Sequence, residues 1–231
     1  MTIAMSGRPS VALSSGGARG VRKGGVVFSS TGPRLGPSRA SRTGRILTVG
    51  LSPAWQHVLI FDRLDTGDVN RARQSHYLAS GKVLNAARAV ARLGASGCAL
   101  TISGGALGAA LRAALDDEAI EHDGVVTQSA SRTSSDLRGP ELVEALHARP
   151  THAGEVHRFD PPTQDVVNPI GCGDTLAGGI AVGLADDRRM VEAIRLGIGC
   201  AVANLVTLLQ GDIRREDALK YAAEVKYTRV E

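Results

Sequence analysis

The chain has 231 residues, 43% apolar, 22% charged and 3% aromatic. That is enough for one ordinary domain, or two small ones, around a core of Ala, Val, Leu and Ile. No run approaches the roughly 18 uninterrupted apolar residues of a membrane span. Three cysteines, Cys98, Cys172 and Cys200, form no C-x-x-C pair, which argues against a disulfide framework or a structural zinc and fits a reducing, cytoplasmic setting. The formal net charge of +4 misleads until it is divided along the chain. Residues 1–45 hold eight of the 27 Lys and Arg and none of the 23 Asp and Glu, leaving 19 basic against 23 acidic residues beyond them. Neither a nucleic acid nor a membrane is therefore expected as a partner of the folded part.

Residues 1–45 are rich in Gly, Ser, Pro and Arg and carry little periodicity. Such a composition cannot bury enough apolar surface to offset its ordering entropy, so the segment reads as a disordered extension. An acid-free, Arg- and Ser-rich start also suits a transit peptide; an extension without function suits it equally. Folded sequence is expected from 46 to 231. ILTVG (46–50) reads as a buried strand, HVLIF (57–61) as a second, and Val83, Ala86, Ala87, Val90 and Leu93 line one face of a helix over 82–93. CALTIS (98–103) is another strand, followed by a helix over 106–118 and a weak strand at 124–127. The segment 139–148 reads as a helix with Pro140 in its first turn. Short strands at 155–159 and 165–168 lead into NPIGCGD, and helices over 174–185, 190–208 and 215–226 finish the chain. Strands alternating with helices predict an α/β fold around a mostly parallel sheet. The segments 57–61, 68–78 and 124–133 lack crossover helices and predict a small β flap.

NPIGCGDTLAGG (168–179) carries the most chemistry. Glycines at 171 and 173 let the backbone turn so that amides and a helix N-terminus face one anion, a phosphate being the natural occupant. Asp174 can then take a proton from an attacking hydroxyl; equally, it can be a simple N-cap. In ASGKVLNAARAVARLG (79–94), Gly81 and Lys82 precede a helix with Asn85 one turn in. Amides, an ammonium and a side-chain amide converge there on a sugar or phosphate, or else Lys82 is a surface residue and Asn85 a helix-start residue. The Walker A spacing is absent. His152 and His157 suit no common zinc pattern, Gly104-Gly105-Ala106-Leu107-Gly108 is no dinucleotide fingerprint, and there is no G-x-S-x-G. No metal site is expected from the protein's own side chains.

GLSPAWQHVLIFDRLDTGDVNRAR, SGKVLNAARAVARLGA and NPIGCGDTLAGGIAVGL, in that order, resemble the PfkB/ribokinase family of sugar kinases. The phosphosugar kinases of that family are most similar: 1-phosphofructokinase, PfkB-type 6-phosphofructokinase and tagatose-6-phosphate kinase. The resemblance implies a ribokinase-like three-layer sandwich with a β lid, and ATP-dependent phosphorylation of a sugar phosphate with Mg²⁺. It makes Asp174 the base, Gly171, Cys172 and Gly173 the anion hole, and Gly81, Lys82, Asn85, Arg132 and Gln56 substrate contacts. Asn204 falls near a position lining the adenine pocket, and a homodimer through the lid is the implied assembly. Ser80 and Val83 stand where the family has glycines, so that Val83 stands to crowd the site, and Gln56 replaces a sugar-binding carboxylate. The domain is shortened between about 120 and 155, where the family has further strand–helix units and an N-x-x-E motif that no asparagine here can supply. The alternative is an inactive sugar-phosphate-binding remnant.

Overall fold

In the computed structural model, residues 2–5, 44–63, 69–138, 151–152 and 155–230 are described. In chain order the elements are β1 (Thr2–Met5), β2 (Ile46–Gly50), β3 (Ala54–Ile60), β4 (Gln74–Ser80), α1 (Lys82–Arg92), β5 (Gly97–Gly104), α2 (Gly105–Asp117) and β6 (His122–Thr127). Next come β7 (Arg132–Arg138), β8 (Thr151–His152), β9 (Glu155–Asp160), α3 (Cys172–Ala185), α4 (Met190–Leu205), α5 (Arg215–Glu224) and β10 (Lys226–Val230).

The main sheet runs β1-β2-β5-β6. Its β2, β5 and β6 are parallel, with Ile46 opposite Gly97 and Ala99 opposite His122. The mostly parallel α/β architecture is thus as expected. A separate sheet, β4-β3-β7, is the expected lid. Its composition differs from the expectation in one strand: the 124–127 segment joins the main sheet, and β7 takes its place in the lid, parallel to β3 from Ala54↔Arg132 to Ile60↔Arg138. β6 has the free edge of β5 beside it at the end of α2, so its amides find partners at once. A third sheet, β10-β9-β8, gathers the strand before the glycine loop and the unpredicted C-terminal strand, with Phe159 stacked on Tyr227 at 5.9 Å.

Two expectations fail locally. Thr2–Met5, inside the stretch read as structureless, pairs antiparallel with β2, Thr2 opposite Val49 and Met5 opposite Ile46. TIAM is apolar and β-branched, unlike the Gly-, Ser- and Arg-rich residues after it, and the outer edge of β2 offers a ladder. Residues 165–168 form no strand. Val167 and Asn168 donate their amides to Leu205 O at 2.7 and 2.9 Å, so the end of α4 supplies the partner that a sheet would have given. The helix expected over 139–148 lies outside the described residues.

All five predicted apolar positions of α1 are buried, which places that helix between two core clusters. One joins α1 to α3, α4 and α5 through Ala86, Ala89, Val90, Ala181, Leu196 and Ala218. The other joins it to β4 and α2 through Ala79, Leu84, Leu111 and Leu115. With few aromatic residues, closeness comes from small ones: a Cβ on Gly197 would lie 2.6 Å from Ile180 Cγ1 and 2.7 Å from Leu176 O, so α3 and α4 pack backbone to backbone. Packing α1 against α3 brings the starts of the two helices together.

Candidate active site

α3 begins at Cys172, with Gly171 as N-cap at φ 88°, a left-handed conformation natural to glycine. The loop that feeds it is braced from behind. Asn168, fully buried, accepts the Ile170 amide at 2.9 Å and donates to Leu208 O at 3.2 Å. Asn204, also fully buried, donates to Ile170 O at 2.9 Å and accepts the Gly211 amide at 2.8 Å. Asn204 therefore braces the loop and presents no exposed face to an adenine. Cys172 is buried, its thiol receiving a bond from Asn204 Nδ2 at 3.3 Å, so only its backbone can serve an anion. Burial pushes that thiol above its usual range, against the Asn204 bond. Gly173 is exposed, with open space where a Cβ would stand.

Asp174 is the third residue of α3, so it is not the N-cap. Its Oδ2 accepts Asn85 Nδ2 from α1 at 2.9 Å. Asn85, in the first turn of α1, is 3% exposed, so it is a buried side chain aimed at the site. Burial raises the Asp174 carboxyl above its ordinary value, opposed by the Asn85 bond and then by the Lys82 charge. Lys82, exposed at the first position of α1, is thus within electrostatic reach of Asp174. Gly81, at φ 108°, lets the chain enter α1 against Ser52–Pro53: a Cβ there would lie 3.0 Å from Ser52 O. Arg132, at the start of β7, donates from Nε to Ser52 Oγ at 3.0 Å. Gly81 and Arg132 therefore flank the same Ser52–Pro53 backbone.

The two glycine replacements are absorbed. Val83 is buried against Gly50 of β2, where a Cβ would approach its Cβ to 2.9 Å, and so points away from the site. Ser80 donates to Asn85 Oδ1 at 3.1 Å. Gln56 is 4% exposed and gives its amide to Asp136 of β7. Gln210 donates to the same Asp136 oxygen at 2.9 Å, and its Cβ would stand 3.0 Å from a Cβ on Gly171. Asp136 and Gln210 belong to no local motif; a strand register and a helix end far apart in sequence bring them together. Arg88 had a faint signal, a lone cation three residues after Asn85 in the run VLNAARAVA (83–91).

A cleft at the carboxyl ends of β5 and β6, the usual ligand edge of a parallel sheet, is lined by Ser52, Pro53, Ser103, Gly104, Ser131 and Arg132. It includes Arg132 but not Asp174. A second, apolar cleft beside Leu84, Leu111 and Leu115 contains none of the predicted site residues. Among the described residues no three His, Cys, Asp or Glu side chains gather as a metal site, and no helix is long and apolar enough to cross a membrane.

Residues 146–217, spanning the glycine loop, Asp174, α3 and α4, match the model of the pfkB family carbohydrate kinases. The Asn85 side of the site lies outside the matched residues. The phosphofructokinase-2 of Escherichia coli with potassium superposes with a TM-score of 0.67 at 14% identity, over 77% of this chain and 98% of that one. The same enzyme with fructose-6-phosphate gives 0.64 at 15%, over 77% and 98%. A Thermotoga maritima protein described as "Possible 1-phosphofructokinase" gives 0.65 at 12%, over 80% and 99%. At these identities the likeness is one of fold: the pfkB segment sits in a partial ribokinase-like domain with a lid sheet.

Proposed function

We propose that this chain transfers the γ-phosphoryl group of MgATP to a hydroxyl of a sugar phosphate, as a 1-phosphofructokinase or tagatose-6-phosphate kinase does. The observation that carries the reading is the Asn85–Asp174 bond at the start of α3, where a glycine turn meets a helix N-terminus. Asp174 takes the proton of the acceptor hydroxyl as its oxygen attacks phosphorus; the bond to the leaving ADP oxygen breaks, and the proton stays on the carboxyl. The amides of Gly171, Cys172 and Gly173 stabilise charge on the transferring group. Lys82 and Arg132 hold the sugar phosphate, and Asn85 orients Asp174. Magnesium enters as part of the nucleotide substrate and supplies charge neutralisation along its phosphates. Asn204 shapes the anion loop.

The inactive alternative draws no support from the geometry, since Asp174 is half-buried and held by Asn85 without serving as the helix cap. ADP release is the test, measured with fructose 1-phosphate, fructose 6-phosphate and tagatose 6-phosphate. One of them should support turnover, and Asp174→Asn should lower its kcat at least about a hundredfold while sugar-phosphate binding persists. Turnover that survives Asp174→Asn removes this carboxylate from the mechanism.

A further inference from the structure

Arg88 stands in the middle of α1 and is 2% exposed. A guanidinium so deeply buried is costly unless its donors are matched. Here they are matched from several elements at once. Nε and Nη2 form a two-pronged pair with Glu118 at 2.5 and 2.7 Å. Nη2 also donates to Ala79 O at 2.7 Å, at the end of β4, and Nη1 to Gln210 O at 3.1 Å. The remaining reach of Nη1 is to Asn85 Oδ1 at 3.5 Å.

The last contact decides which way the Asn85 amide faces. Arginine has donors and no acceptor, so the Asn85 atom beside it must be the carbonyl oxygen. Ser80 donates to that same oxygen at 3.1 Å. The amide nitrogen is thereby left to face Asp174, to which it donates at 2.9 Å. We propose that Arg88 is a positioning residue, acting with Ser80 through the Asn85 amide to hold a donor on the Asp174 carboxylate. Its bond to Gln210 O places a second segment of the site, since the Gln210 side chain lies against Gly171 and reaches Asp136 of the lid. The inference rests on the proposed function only in taking Asp174 as the base.

The test needs no turnover. The Asp174 carboxyl is followed by carbon-detected NMR across a pH titration in the full chain, in Arg88→Lys and in Ser80→Ala. Besides Asn85, the groups facing Asp174 among the described residues are Lys82 from α1 and Cys172 from its own helix, and neither is altered by these changes. Lysine keeps the charge but cannot span Glu118, Ala79, Gln210 and Asn85 together. In each variant that folds, the midpoint of Asp174 should rise by about half a pH unit or more, because a loosened amide donates less to the carboxylate. Arg88→Lys should also lower the melting temperature, but a purely structural role would stop there. A folded variant with an unchanged Asp174 midpoint overturns the proposal. If Arg88→Lys does not fold, Ser80→Ala, which removes one hydroxyl, decides alone. Failure of the kinase assay would leave this result standing, so the two readings fail separately.

Discussion

At the scale of single residues, the site stores a cost in Asp174. Its carboxyl is raised above its ordinary value of 3.8, chiefly by burial, so ionising it costs more in the folded than in the unfolded chain. That cost is absent below pH 3.8, grows as the pH rises from there to the folded-state value, and is fully present above it. Asp174→Asn, which keeps an acceptor for Asn85 and carries no charge, should therefore melt higher than the unaltered chain at neutral pH. The gain should fade toward acid; a variant that melts lower at pH 7 would contradict the sign. Any activity should show an acid limb above the usual carboxylate range, since the base must be ionised. The cysteines make a complementary case. All three are free, and burial pushes the Cys200 thiol up to about 12. Cys200 should resist iodoacetamide at neutral pH in the folded protein and react only on unfolding, as mass spectrometry would show.

At the scale of elements, the contact of α3 with α4 positions the anion loop, because Asn204 reaches from α4 into it. Gly197 makes the approach possible, its place for a Cβ being filled by Ile180 and Leu176. Gly197→Ala should cost about 1–3 kcal/mol in urea unfolding, as overpacking of a tight core does. Gly173→Ala, with open space at its Cβ, should cost nothing and serves as the control. An unchanged urea midpoint for Gly197→Ala would show that the helices can part without penalty. Elements whose periodicity or turn residues were strong, such as α1, β2, β5 and α3, were legible in the sequence to within a few residues. The strand expected at 165–168 was not there, because DVVN has strand composition but no sheet edge to join.

At the scale of the whole molecule, the main sheet is small and its β2 edge is covered by β1 in antiparallel register. An open edge of unpaired amides and carbonyls invites pairing with another chain. Removing residues 1–43 should therefore lower the melting temperature and produce concentration-dependent association in sedimentation. A truncated chain that stays monomeric and equally stable would show that β1 contributes nothing. The lid is tied to the body through Asp136 of β7, which takes an amide from Gln210 beside the one it takes from Gln56 of the neighbouring lid strand β3.

The sequence by itself determined the fold class, the lid, the order of most elements and the pair of segments that build the site. Those features come from local periodicity, glycine placement and residue chemistry within about fifteen neighbours. Only the tertiary structure decided that Asp174 faces Asn85, that Val83 turns toward Gly50, and that Gln56 gives its amide to Asp136. It also decided that Arg88, the one buried charge of α1, is matched by groups from β4, the end of α2 and the loop after α4. Partners 74 to 122 residues apart carry no mutual signal in a single chain; the close packing of α1 on α3, and of the lid on the body, brings them within reach.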